Sequence, residues 1–254
     1  MKNSTLRPVS GQLRWLGVLD GPQMVSDRVK RWEHYDAGQV PDLYIRFANL
    51  PLANDPEEQN RIQAFASKYG LLTVTFWETG DDEDELRDSL SDWRLEILNM
   101  RMTLRLLEFS NSGKRKPLRE AISWGKAGIF FVDKDLGKKR IARSADIVVK
   151  RLDPRRPLRT AIWAIAEWIN QGLSGRTSAG VVVESTSKCE FTFLPSSRGV
   201  AGAVWSQLAL AASRPVVRCL NCGEMFRPQR RTAKFCTTRR CRGDYHDRIR
   251  KNKS

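Results

Sequence analysis

Cys219-Leu220-Asn221-Cys222-Gly223, then Lys234-Phe235-Cys236 and, four residues further on, Cys241-Arg242 are the stretches that decide how this chain ends. Their spacing, Cys-x2-Cys-x13-Cys-x4-Cys, places four of the five cysteines in the last 36 of 254 residues. Two close pairs joined by a short loop are what a tetrahedral zinc ion requires. Each pair turns the backbone so that two thiolates converge, and the loop returns the second pair to the same centre. Cys219, Cys222, Cys236 and Cys241 would complete an all-thiolate set, which leaves no open position for catalysis and implies one structural Zn2+. Gly223 relieves crowding where the chain folds over the metal. Phe226 and Phe235 supply apolar filling beneath the loop, too little to offset the chain entropy without metal.

Cations surround the cysteines. Arg227, Arg230, Arg231, Lys234, Arg239, Arg240, Arg242, Arg248, Arg250 and Lys251 are candidate nucleic-acid contacts, because Lys and Arg neutralise phosphates and release condensed counterions. Residues 242–251 can form a terminal helix, with Tyr245 and Ile249 four apart and packed inward while Arg242, Arg248 and Lys251 point out. Such a helix can lie in a major groove or act as a sequence-blind clamp. His246 reads as a surface residue, since four cysteines already complete the ligand set.

The run Arg218-Cys219-Leu220-Asn221-Cys222-Gly223-Glu224-Met225-Phe226, with Lys234-Phe235-Cys236 and Cys241-Arg242, resembles the CGNR-type zinc fingers. These close a group of bacterial proteins regarded as transcriptional regulators with a largely helical N-terminal domain. The segment Ala203-Val204-Trp205-Ser206-Gln207-Leu208 is similar to the one preceding the finger in such chains. The resemblance implies the same four cysteine ligands and DNA as partner. Where that family carries Cys-Gly-Asn-Arg, this chain has Cys241-Arg242-Gly243-Asp244. The Phe-Cys-Thr and Cys-Arg pattern is also similar to FCS-like fingers, some of which bind proteins or RNA.

The net charge of +15 is concentrated in two blocks. Residues 1–113 carry 13 basic and 18 acidic groups, and residues 160–213 carry 3 of each. Residues 114–159 carry 15 basic against 5 acidic, and residues 214–254 carry 13 against 3. This placement points to a polyanionic partner. No run of about 18 apolar residues is available to span a bilayer, and the N-terminus lacks the apolar stretch of a secretory signal. The expected compartment is the cytoplasm, where paired cysteines bind metal rather than oxidise, and no membrane partner is expected.

Upstream, the expected fold class is α+β. A mainly helical N-terminal domain over residues 1–212, with short strands and a hairpin, precedes a small treble-clef-like four-cysteine finger over residues 214–254. Leu13 to Leu16 and Leu43 to Phe47 alternate like strands. Asn54-Asp55-Pro56-Glu57-Glu58 starts a helix that should reach Tyr69 and stop at Gly70 in a left-handed cap. Leu71 to Trp77 forms a brief strand or packed loop. Leu86, Leu90, Trp93, Ile97, Met100, Leu104 and Leu107 keep one face of a helix over residues 83–109, with further apolar residues marking a core helix rather than a coiled coil. Residues 158–171 form another helix with Leu158, Ile162, Ile165, Trp168 and Ile169 on its buried side. Val181 to Val183 and Phe191 to Phe193 pair as strands, and residues 200–212 form a last core helix carrying Val204, Trp205, Leu208 and Leu210.

Catalytic signals are weak. The acidic run Asp81 to Glu85 diverges at a helix start, Cys189 lacks a nearby base, and His34 is the only histidine besides His246. Neither a phosphate loop nor a dinucleotide fingerprint is present. A non-enzymatic, zinc-stabilised DNA-binding regulator is expected, possible as a homodimer reading two half-sites. Two alternatives stay open: a protein- or RNA-binding finger, and a nucleic-acid enzyme tethered by the finger.

Overall fold

The computed structural model describes residues 17–20, 23–26, 40–72, 87–112, 115–143, 146, 152–185, 190–197, 199–212, 215–230, 232–236 and 240–251. Expectations for residues 13–16, 73–77 and 81–85, and for His34, Cys189, Arg231 and Arg239, lie outside these. The elements run β1 (Gly17–Asp20), β2 (Gln23–Ser26), α1 (Leu43–Ala48), α2 (Pro56–Tyr69), β3 (Arg87–Ser89), α3 (Leu90–Asn111) and α4 (Arg115–Ala121). Then follow β4 (Ile122–Gly125), β5 (Gly128–Asp133), β6 (Gly137–Arg143), α5 (Pro157–Leu173), β7 (Thr177–Ser185) and β8 (Glu190–Ser197). The chain closes with α6 (Gly199–Ala211), β9 (Val217–Arg218), β10 (Met225–Phe226) and α7 (Cys241–Lys251). Helix outweighs strand, and a distinct four-cysteine cluster ends the chain. No described helix is long and apolar enough to cross a membrane.

Two compact units result, one from Met1–Ile97 with Ile169–Leu210, the other from Leu98–Trp168 with Ala211–Ser254. In the first unit, β1, β2 and β3 form an antiparallel sheet in that order. Asp55 caps α2 by accepting from the Glu58 amide at 2.8 Å, as its position before Pro56 foretells. Gly70 ends the helix with φ 98° and ψ 178°, not the expected left-handed helical values. Phe47, Phe65 and Trp93 pack with ring centroids 5.7 to 6.3 Å apart. Buried Glu96 accepts from Arg176 at 2.6 Å and from the Trp205 indole, so the carboxylate is buried with its charge partnered. β7 and β8 pair antiparallel with Val181 opposite Phe193 and Val183 opposite Phe191, the pairing expected from sequence.

Gly172 of α5 and Trp205 of α6 meet so closely that a Cβ on Gly172 would lie 2.2 Å from the indole. Gly172→Ala therefore overpacks this contact. We expect a loss of about 1–3 kcal/mol and a Tm lowered by on the order of 5 °C, measurable by thermal denaturation; an unchanged Tm would show that the helices part without cost.

Three expectations are corrected. Leu43 to Phe47 is helical, not a strand: Leu43, Tyr44, Ile45, Phe47 and Ala48 are all buried and Arg46 alone of α1 is exposed, and burial on nearly every side erases the polar positions that reveal a helical period. The long helix begins at Leu90 rather than residue 83, because residues 87–89 pair with β2 and Ser89 caps α3 through the Asp92 amide at 3.0 Å. Leu158, Ile162 and Leu210 are 44%, 56% and 59% exposed. On α5 the expected Ile165, Trp168 and Ile169 are buried, and Ala161 and Ala164 join them in place of Leu158 and Ile162, so small alanines take the other close-packed positions.

In the second unit, β4, β5 and β6 make an antiparallel meander. Ile129 and Phe131 point to its buried face, where Phe131 meets Trp168 and Phe109 at 6.2 and 6.1 Å. Asp133 stabilises the β5–β6 turn by accepting from the amides of Asp135 and Leu136 at 2.9 and 3.1 Å. The Arg105 guanidinium donates to Asp133 at 3.0 Å and pairs with Glu108.

Candidate metal centre

The centre is assembled on a hairpin and a helix. β9 and β10 pair antiparallel, Met225 opposite Arg218 and Phe226 opposite Val217. The turn between them is the first cysteine knuckle, closed by Cys219 N–H to Glu224 O at 2.8 Å and Gly223 N–H to Cys219 O at 3.0 Å. Gly223 has φ +75°, a conformation that L side chains rarely adopt, which is why the residue after Cys222 is a glycine. The Leu220 amide donates to Lys234 O at 3.0 Å, drawing in the segment that carries Cys236. Cys241 is the first residue of α7, and the Asp244 amide donates to Arg240 O at 2.9 Å in its first turn.

All four Sγ atoms lie within 4.8 Å of one another, with Cys222 to Cys236 at 3.8 Å and Cys236 to Cys241 at 3.4 Å. Tetrahedral zinc thiolates at 2.3 Å from the metal stand about 3.8 Å apart, so the set is suited to one metal ion. Electrostatics agree. Burial pushes the Cys219 thiol up, but the amides of Cys222, Cys236 and Asn221 outweigh it and bring the thiol down to about 6. Cys222 is pushed up by burial and by its thiol neighbours, and Cys241 chiefly by the neighbouring Cys236. Four anions this close repel one another, and a bound dication removes that penalty.

Arg218 anchors the knuckle inside the second unit. Its amide donates to Glu108 at 2.9 Å, its Nε to Gly223 O at 2.9 Å and its guanidinium to Asp135 at 2.7 Å. That guanidinium holds the Asp135 carboxyl below the usual carboxylate range. Sequence reasoning gave Arg218 no role. A cation directly before the first ligand was its one visible signal.

Among the expected nucleic-acid contacts, Arg230, Lys234, Arg240, Arg242, Arg248, Arg250 and Lys251 are exposed, and Arg227 is half-buried. Arg227, Arg230, Lys234 and Arg242 line one groove beside Phe226, Phe235 and His246. On α7, Arg248 donates to Asn221 at 3.1 Å and stands over the Tyr245 ring, while Arg250 lies 4.0 Å from Asp247. Tyr245 packs against Phe235 with centroids 5.2 Å apart. Ile249, expected to pack inward, is 38% exposed, and Cys241 is the buried residue of α7.

No protein-family model, curated protein or solved structure matches this chain. The likeness to CGNR-type fingers therefore rests on the residues of the module, and the firm statement is a four-cysteine cluster of the zinc-binding kind.

The internal basic block has a geometry as well. Phe130 faces Arg140 and Val132 faces Lys138 across β5 and β6. The Lys138 ammonium sits 3.8 Å above the Phe130 ring and the Arg140 guanidinium 5.7 Å from it. Lys139 turns the other way, 4.3 Å from the Trp168 ring and 2.9 Å from Asn99 Oδ1.

Proposed function

We propose that this chain is a zinc-stabilised nucleic-acid-binding protein, with DNA as the favoured partner and regulation of transcription as its role. One observation carries the reading. The second unit, which contains the cysteine cluster, holds 30 Lys and Arg against 10 Asp and Glu, whereas the first holds 14 against 19. The two basic blocks, about 55 residues apart in sequence, belong to one compact body at net +20 while the rest of the chain is net −5. A polyanion is the partner that such a body attracts within about a Debye length of its surface. Four thiolates in a closed set match a structural ion, and zinc is the metal they suit best under reducing conditions. The ion supplies no chemistry here beyond holding the knuckle, Cys236 and α7 together. The chain's own cations do the binding.

The test is fluorescence anisotropy of a labelled mixed-sequence duplex across a salt series, with and without a strong zinc chelator. Affinity that falls steeply with salt and collapses on chelation supports a contact made by the cysteine module. Affinity that survives chelation moves the contact to the sheet face around Lys138 and Arg140. Absence of binding at low salt rejects the nucleic-acid reading and leaves a protein partner.

A further inference from the structure

Beside the metal centre the second unit has a groove of about 560 Å3 whose wall changes character from floor to rim. Half-buried Phe226 and Phe235 supply apolar ring surface, and exposed His246 stands at the edge, 6.1 Å from Phe235 between ring centroids. Arg230, Lys234 and Arg242 are exposed along the same groove, and no carboxylate lines it among the described residues. Flat apolar surface next to several cations is the complement of one chemical unit, a base attached to a phosphodiester. The volume is in the range of sites that enclose a small organic group. A base pair held within a stacked duplex cannot enter it.

The neighbouring helix adds one cation to the groove. On α7 itself Arg248 donates to Asn221 and Arg250 stands 4.0 Å from Asp247, both on the exposed surface, and neither lines the groove. Arg242, at the start of α7, is the helix cation that lines the groove.

From this we infer that the groove takes an unpaired nucleotide of a single strand, its base against Phe226, Phe235 and His246 and its phosphates on Arg230, Lys234 and Arg242. The inference rests on the nucleic-acid reading above and narrows its ligand from duplex to single-stranded segments.

The test uses the full zinc-loaded chain, a labelled 12-nucleotide mixed-sequence DNA strand, the same strand annealed to its complement, and AMP as competitor. The strand should bind at least tenfold more tightly than the duplex. Phe226→Leu keeps an apolar side chain but removes the ring, and His246→Ala alters only an exposed side chain. Each should weaken strand binding about five- to a hundredfold, the usual worth of one stacked base, with metal content unchanged. Duplex bound as tightly as strand, or strand affinity unmoved by both variants, overturns the groove assignment and leaves nucleic-acid binding standing. AMP that displaces the strand at a concentration near the strand's own Kd also overturns it, in favour of a free nucleotide. If neither strand nor duplex binds at low salt, the underlying reading fails and the groove proposal with it.

Discussion

Cys241→Ser should release the metal and unfold residues 215–251, the largest single-residue effect expected in this chain. Cys241 is both a member of the four-sulfur set and the first residue of α7, so one substitution cuts the metal's hold on the helix. Little else retains it. α7 has Cys241 as its buried residue, Tyr245 is only half-buried against Phe235, and Arg248 offers one exposed hydrogen bond to Asn221. An 11-residue helix is below the length at which isolated helices persist in water. Structural zinc contributes on the order of 10 kcal/mol to folding of such modules, far more than these contacts. Hydrogen exchange would show amide protection lost across β9, β10 and α7, with metal content falling below one equivalent. The first unit should keep its protection, including the Phe47, Phe65 and Trp93 cluster. Retained metal with unchanged exchange in α7 would mean that packing rather than coordination holds the module.

What the sequence revealed depended on how local each signal was. The cysteine spacing, Gly223 and the Asp55 cap act over a few residues, so each was readable without knowing what lay across the chain. The β7–β8 pairing was readable for the same reason, as two β-branched and aromatic runs close in sequence. Leu43 to Phe47 misled because a helix buried on nearly every side has no polar stripe. Residues 87–89 misled because the apolar stripe continues through Leu86 in sequence while the backbone there joins β2. The spacing Ser89-x-x-Asp92 was the overlooked sign of the true helix start. The exposure of Leu158 and Ile162 had no local sign, since only the partners of α5 decide which of its apolar residues are covered. The groove was half legible: its cations were each singled out, but their convergence on Phe226, Phe235 and His246 depends on the fold of the module.

The salt dependence of binding should separate the two basic surfaces quantitatively. Each phosphate neutralised contributes about 0.9 to the slope of log Kobs against log salt on duplex DNA, and about 0.7 on a single strand. Replacing Arg230, Lys234 and Arg242 together by alanine should therefore flatten the slope by about 2.7 on a duplex or about 2.1 on a single strand. All three side chains are exposed and none belongs to the four-sulfur set, so the metal should stay and the loss can be assigned to charge. Lys138→Ala with Arg140→Ala is the matched control on the sheet face, where both cations are exposed and lean over Phe130. A slope altered by the triple variant alone confines the phosphates to the metal module. A slope altered by the pair alone moves them to the β5–β6 face, and changes from both mean that one strand tracks across each surface. If neither set changes the slope, the phosphates lie on neither of these two surfaces and the groove assignment fails, leaving the other exposed cations of the second unit, such as Arg240, Arg248 and Arg250, to be tested. The measurement reaches past affinity to the reason for the charge. Solubility needs net charge of either sign spread over the surface, whereas a slope that falls with the removal of three named cations requires that those cations displace counterions from a phosphate backbone.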